Sequence, residues 1–230
     1  MTSEAVPNAS PRARFREMMR DDILAAARQI MQTGGYPALS MRALAEAVGV
    51  RAPTLYDYFA SKEDVLNAVF MQGVDLLAGQ FQGQLETTEP GLERLVRIGI
   101  VYRQFGIENP DLYQLLFAKL DQSFIPGEEQ RRASKGLFEA LRNHVVDALN
   151  IGVLRPNDPD FVALSIWSAA HGYVTLELVG YVDSCTPVAM NDQYELFLSS
   201  MLFGLAAPEL DDSRAKAVTV APALQSPTGD

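Results

Sequence analysis

Apolar residues in this chain recur at spacings of three and four, and that period leaves little room for anything but helices. Asn-Gly and Asp-Gly turns between alternating runs are missing, so a sheet has neither strands nor hairpins to build on. Breaks fall at Gly, Pro and Asn, which stop helices for reasons of backbone geometry. The expected fold class is therefore all-α. A first helix carries Met19, Ile23, Leu24, Ala27, Ile30 and Met31 on one face and stops at Gly34-Gly35. Ser40 caps a short helix through Val48, which Gly49 ends. Arg51 to Phe59 form another, with Pro53 in the first turn, where its missing N–H costs nothing. Ser61-Lys62-Glu63-Asp64 reads as a capping box opening a long helix to about Leu85.

Beyond Glu89-Pro90 a helix is expected to Glu108, and Asn109-Pro110 starts the next, through Leu120. Ser123 to Gly127 reads as a loop, and helices over 128–151, 158–181 and 187–206 complete the body. Residues 1–18, opening with Pro7, Asn8, Ser10 and Pro11, are expected to be a flexible arm. Residues 208–230, rich in Ala, Pro, Ser and Thr, are expected to be a disordered tail. The expected division is a head over 19–70 and a body over 71–207, fused through the long helix rather than joined by a linker.

Charge bears on function through its distribution. The net charge is -10, yet residues 1–70 carry eight basic and eight acidic side chains, so the acidity lies entirely in residues 71–230. Steering toward DNA depends on the local field, so a neutral head with clustered arginines on an acidic body remains compatible with a polyanion. The single cysteine, Cys185, excludes an internal disulfide and a cysteine-based zinc site, and two histidines argue against a histidine metal site. No metal or cofactor is expected. No apolar run reaches the ~18 residues of a membrane span, and Met1–Ala5 has no signal pattern, so a cytoplasmic protein is the default.

The segment from Ser40 to Phe59 carries the chemistry. Two short helices separated by a glycine turn make a helix-turn-helix. Ala45 is small where the helices cross. Gly49 takes the turn conformation that a side chain resists. Leu44, Val48, Val50, Leu55 and Phe59 fill the shared core, and the polar positions between them face outward. The second helix is the one such a motif places in the major groove.

Residues from Ile23 to Phe70 resemble the N-terminal domain of the TetR family of transcriptional regulators. The matching residues are Gly34-Gly35-Tyr36, Leu39-Ser40-Met41-Arg42, Leu44-Ala45, Val48-Gly49-Val50, Thr54-Leu55-Tyr56-Asp57-Tyr58-Phe59 and Ser61 to Leu66. By position, the resemblance implies that Ser40 and Arg42 hold phosphates and the groove edge. It implies that Arg51, Ala52, Thr54 and Tyr58 face bases or the groove, and that Tyr56 and Lys62 bind backbone phosphates. Elementary chemistry agrees. Arg51 offers a bidentate fork to guanine, Thr54 a methyl and a hydroxyl, and Lys62 sits at a helix N-terminus that favours phosphate. Arg12, Arg14 and Arg16 are expected to add phosphate or minor-groove contacts. Asp57 opposes the trend, because a carboxylate there repels phosphate unless it points away.

The body is rich in aromatic side chains, which either pack as core or line a cavity. The resemblance implies a cavity for a small, largely hydrophobic effector, with Tyr102, Phe105, Phe117, Trp167 and His171 as its expected contacts. Trp167 to Gly172, together with Asn109 to Tyr113, resembles the Trp-His-Gly class of C-terminal domains in the family. A small-residue stripe of Ser165, Ser168, Gly172, Thr175 and Val179 permits close helix approach, and Phe197 and Met201 lie on an apolar stripe of the last helix. Two reading helices on one duplex face require a dimer. Ser168, Gly172, Thr175, Phe197 and Met201 are therefore expected at a homodimer seam. Enzymatic phosphate loops, nucleophile elbows and His-Glu-x-x-His are absent, so no catalysis is expected. The function expected is an operator-binding regulator, a repressor released by its effector. The alternative is a helical ligand-binding or protein-interaction module without DNA affinity.

Overall fold

The computed structural model describes residues 10–85, 88–117, 124–182 and 190–207. Among these, regular structure is helical: α1 (Pro11–Ala38), α2 (Met41–Ala47), α3 (Ala52–Tyr56), α4 (Lys62–Leu85), α5 (Leu92–Glu108), α6 (Pro110–Phe117), α7 (Glu128–Asn150), α8 (Pro159–Leu178) and α9 (Met190–Phe203). An isolated antiparallel bridge joins Leu154 to Ala206. The all-α expectation holds. The expected tail at 208–230, the first half of the arm, Ala118 to Leu120 and Cys185 lie outside the described residues.

Local signals act where expected. Ser40 Oγ accepts from Ala43 N at 3.1 Å and Ser61 Oγ from Asp64 N at 3.1 Å, each satisfying an amide that a helix start leaves open. Gly35, at φ 70° and ψ 176°, breaks α1 before its last turn. One expectation fails. Residues 11–18 are not an arm but the first turns of α1. Ser10 Oγ caps Ala13 N at 3.2 Å and Pro11 stands in the first turn, so the same Ser-Pro pair that suggested a loop starts a helix.

The chain divides into two compact units, and neither is a single segment. The first comprises Met1–Ala78 with Phe105–Gly136, the second Gly79–Gln104 with Leu137–Asp230. This grouping differs from the expected linear boundary near residue 70, and α4, α5 and α7 each supply residues to both units. In the first unit α1 buries Ile23, Leu24, Ala27 and Met31 together with Leu44, Leu55, Phe59, Leu66 and Phe70. Helix α6 joins this unit for a polar reason. The Asp111 side chain is fully buried and accepts from Arg28 Nε at 2.8 Å and Gln32 Nε2 at 3.0 Å, while Arg28 Nη2 also donates to Asn109 Oδ1 at 2.9 Å. A Cβ on Gly73 would lie 2.6 Å from Leu116 Cδ1, so α4 and α6 meet closely enough there that a larger residue would oblige the Leu116 side chain to move.

The second unit packs Leu95, Ile98, Leu141, Val145, Ala148, Val162, Ala163, Ile166 and Leu202 into one cluster. A buried ion pair accompanies it. Arg103 Nε donates to Glu177 Oε2 at 2.7 Å, with side chains 7% and 6% exposed. Tyr194 Oη donates to the Gly99 carbonyl at 2.9 Å, and a Cβ on Gly99 would meet Leu198 Cδ1 at 2.5 Å.

Burial pushes the Asp111 carboxyl up, but the bonds from Arg28 and Gln32 outweigh it and hold it below the ordinary carboxylate value. A depressed folded value gives stability that is present above the unfolded pKa of about 3.9 and is lost as pH falls through the folded one. Arg28→Ala leaves the buried charge with Gln32 alone and should cost about 3 kcal/mol, the low end for a broken buried pair because Arg28 is partly exposed. Asp111→Asn should cost less at neutral pH and should reduce the acid-side loss. Urea unfolding of both variants between neutral pH and about pH 3 measures this. Equal costs at neutral pH would contradict the assignment.

Candidate nucleic-acid interface

The short helices α2 and α3 are held by what they bury. Leu44, Ala45, Leu55 and Phe59 are at most 4% exposed. Gly49 turns the chain at φ 69°, after which Val50 N returns to the Ala45 carbonyl at 2.9 Å. Arg51 is extended and its carbonyl accepts from Thr54 N at 3.0 Å, so it stands at the very start of α3 with its side chain outside the helix ladder. The opposite edge of α3 faces solvent: Arg51, Ala52, Thr54, Tyr56 and Asp57 are exposed, and Tyr58 half-buried. Ser40 and Arg42, at the start of α2, are exposed as well. The expected DNA-contact residues thus occupy one unit, on the side away from its core.

Helix α3 is shorter than the expected Arg51 to Phe59. Asp57 N bonds Thr54 O at 3.2 Å and Tyr58 N bonds Leu55 O at 3.0 Å, so the last turn tightens. Two arginines of α1 meet that end. Arg16 Nη2 donates to the Asp57 carbonyl and Arg20 Nη1 to the Tyr58 carbonyl, both at 3.0 Å. Arg16, expected as a phosphate or minor-groove contact, is therefore engaged with α3 itself. An open groove lined by Pro11, Arg12, Phe15, Arg16, Thr54, Asp57 and Tyr58 runs beside them, and it places the exposed Asp57 among arginines. Lys62 is also tethered: its Nζ lies 4.0 Å from the Tyr36 ring centroid and 3.5 Å from the Tyr36 carbonyl. The arginine contacts at α3 were not legible in sequence, since 41 and 38 residues separate the partners.

In the second unit the structure brings together three of the five expected effector contacts. Tyr102 Oη lies 3.0 Å from His171 Nδ1 and accepts from Trp167 Nε1 at 3.3 Å. Phe138, which sequence reasoning did not single out as a contact, stands 6.0 Å from the Trp167 ring. Phe105 and Phe117 belong to the first unit, where Phe105 is fully buried and Phe117 packs edge-on to Tyr113 at 5.3 Å. Three of the expected seam residues, Ser168, Gly172 and Thr175, are exposed. They lie on a face of α8 that also exposes Phe161 (58%), Leu164 (51%), Leu176 and Val179. That apolar face follows the helical period and was available to sequence reading. Phe197 and Met201 are half-buried in their own chain, Phe197 lying 5.1 Å from the Tyr173 ring.

Among the described residues no helix is long and apolar enough to cross a membrane, and no group of three or more His, Cys, Asp or Glu side chains is placed to hold a metal ion. Residues 23–69 match the family model described as bacterial regulatory proteins, tetR family, and residues 95–201 match the model described as tetracyclin repressor-like, C-terminal domain. The chain is 28% identical over 177 residues to the HTH-type transcriptional regulator Rv0681 of Mycobacterium tuberculosis, covering 74% of this chain and 75% of that one. It is 27% identical over 135 residues to the HTH-type transcriptional activator FasR of Mycolicibacterium smegmatis, covering 59% and 60%. A transcriptional regulator from Saccharomonospora viridis, solved in complex with choline, has a similar fold with a TM-score of 0.69 at 19% identity, covering 83% of this chain and 98% of that one.

Burial holds the His171 imidazole below its ordinary pKa. His144 shifts the same way, through burial and the nearby Arg94, with Asp147 opposing. The unfolded chain then takes up protons first, so stability should fall as pH drops below about 6.5 toward the folded values. His171→Gln should flatten part of that decline. Denaturation midpoints at about pH 7.5 and 5.5 report it, and an unchanged slope would show that the ring is not held neutral.

Proposed function

The chain belongs to the TetR family and is a helix-turn-helix, DNA-binding transcriptional regulator rather than an enzyme; from that premise we propose that two copies bind a pseudo-palindromic operator. The observation that carries this reading is the two-sidedness of α3. Leu55 and Phe59 anchor one edge, and Arg51, Ala52, Thr54 and Tyr56 stand on the other, Tyr56 being 52% exposed. In this reading Arg51 forks to a guanine edge and Thr54 meets a base or the groove wall. Ala52 and Tyr58 face bases or the groove as well, and Ser40, Arg42, Tyr56 and Lys62 contact the backbone and groove edge. Successive major grooves set the half-sites about 34–36 Å apart or slightly more.

The homodimer reading rests on α8. Gly172 sits mid-helix, where glycine costs about 1 kcal/mol relative to alanine, and a Cβ there would meet nothing within 4 Å in the single chain. A partner helix approaching closely along Ser168, Gly172 and Thr175 accounts for both the glycine and the exposed Phe161 and Leu164. The effector reading rests on the Tyr102, Trp167 and His171 group, which offers polar atoms within aromatic walls and suits a small, largely hydrophobic compound. The choline complex of the Saccharomonospora viridis protein supports small-molecule binding as a class. The Trp-His-Gly resemblance belongs to this same proposal. Effector binding shifts the spacing of the reading helices away from the duplex, which needs a coupling of only ~1–3 kcal/mol. We further propose repression in the cytoplasm, by occlusion of a promoter. Since FasR is named an activator, a reporter assay with and without the chain decides the sign: lower output in its presence supports repression, and higher output overturns it. A chain that shifts no duplex in gels across salt concentrations would favour the alternative of a module without DNA affinity.

Three substitutions test the assignments. Arg51→Ala should cost about 1–3 kcal/mol of operator binding and relax specificity at one base pair. Lys62→Ala should weaken binding uniformly and lower the salt slope by about one. Both are read by fluorescence anisotropy, and a uniform loss for Arg51→Ala would remove it from base readout. Gly172→Leu should leave the helical content intact and shift sedimentation toward monomer, whereas an undisturbed dimer would move the seam elsewhere.

A further inference from the structure

We propose that Arg16 and Arg20 are positioning residues for the reading helix: they set the pitch of α3 by holding the carbonyls of Asp57 and Tyr58 at its end and lying against the rings that follow it. The inference rests on the DNA-binding function of the chain and adds residues that lie outside the helix-turn-helix segment.

Helix α3 has five residues, far below the length at which a helix holds itself together in water. Its direction is therefore decided by what grips it. The inner edge is gripped by Leu55 and Phe59. The Thr54 and Leu55 carbonyls are taken by the amides of Asp57, Tyr58 and Phe59, and the carbonyls of Asp57 and Tyr58, just past the helix, have no basic side chain of its own last turn to meet them. The first turns of α1 supply the missing donors. Arg16 bonds the Asp57 carbonyl, and its guanidinium lies 5.7 Å from the Tyr58 ring centroid. Arg20 bonds the Tyr58 carbonyl, and its guanidinium lies 4.3 Å from the Phe59 ring centroid. Three consecutive residues are thus fixed by two planar cations, each using hydrogen bonding and ring contact together. The cations also stand at the negative end of the α3 dipole.

The first two turns of α1 have no other structural employment. Every residue from Pro11 to Met18 is exposed, so these turns bury no core. The Ser10 cap starts the helix early enough to project Arg16 at α3. Direct readout needs side chains placed to within hydrogen-bond tolerance of base edges. A clamp on the helix end therefore governs discrimination more than attraction.

The test separates positioning from phosphate contact. Arg16→Ala changes an exposed residue, so the fold is not at risk. Arg20→Lys keeps the charge and a donor. Arg12→Ala, on the wall of the same groove, serves as the comparison for a cation without an assigned carbonyl. Two readouts are taken. The first is hydrogen exchange of peptides covering residues 51–59 in the free full-length chain. The second is binding to a duplex that the unaltered chain selects from a random-sequence pool, against a scrambled duplex, at several salt concentrations.

Arg16→Ala should speed exchange across residues 51–59. It should weaken the selected duplex about tenfold, the scrambled one much less, and leave the salt slope unchanged. A further variant, Arg20→Ala, should lose discrimination as Arg16→Ala does, and Arg20→Lys should retain most of it. An equal loss on both duplexes with a slope lower by about one would make Arg16 a phosphate ligand and overturn the proposal. Unchanged exchange in Arg16→Ala would overturn it without reference to DNA. Because the exchange arm uses no nucleic acid, its result stands apart from any failure of the operator reading.

Discussion

The buried carboxylate of Asp111 decides how this chain is partitioned. A charge with no exposed surface needs partners; Arg28 and Gln32 donate to it, and Asn109 in turn accepts from Arg28. That requirement draws α6 to α1, across 83 residues of sequence. The unit that carries α2 and α3 is consequently assembled from two stretches of chain. Apolar burial alone would not select this pairing, since hydrophobic attraction is non-directional. The Arg28 guanidinium, by contrast, accepts only a partner that matches its planar donors.

The same division of labour recurs at α3. Leucine and phenylalanine side chains hold its inner edge, and arginine-to-carbonyl bonds fix its end. Burial keeps the helix on the unit, while the directional bonds set where its outer edge points. Asp57, which looked unfavourable for a DNA reader, takes part through its backbone. Its carbonyl accepts from Arg16, and its exposed side chain shares a groove with Arg12 and Arg16, whose charges offset its own.

In the second unit two polar arrangements are set into an apolar cluster. The Arg103–Glu177 pair is bidentate and almost fully buried, and the Glu177 hydrogen bond outweighs the cost of desolvating the guanidinium and holds it charged. Its bonds lock α5 to α8 in one register. The Tyr102 hydroxyl bridges Trp167 and His171 on the same two helices. With burial keeping the imidazole neutral, the phenol is the natural donor to Nδ1 while accepting from the indole. The half-buried position of Phe197 and Met201, compared with the open Ser168, Gly172 and Thr175, places the exposed small-residue surface on α8.

What the sequence determined by itself was local. Helical period, the serine caps at Ser40 and Ser61, the glycine turns at 35 and 49 and the outward edge of α3 all depend on neighbours within a few residues. Those features therefore identified the helix-turn-helix and the family. Even there the start of α1 was misplaced, because a Ser-Pro pair opens a helix as readily as it marks a loop. Tertiary structure alone decided which segments share a unit, that Arg16 and Arg20 grip α3, and that the Tyr102 hydroxyl meets Trp167 and His171. Each of those outcomes depends on side chains tens of residues apart finding complementary geometry, and the spacing of residues along a chain does not encode that match.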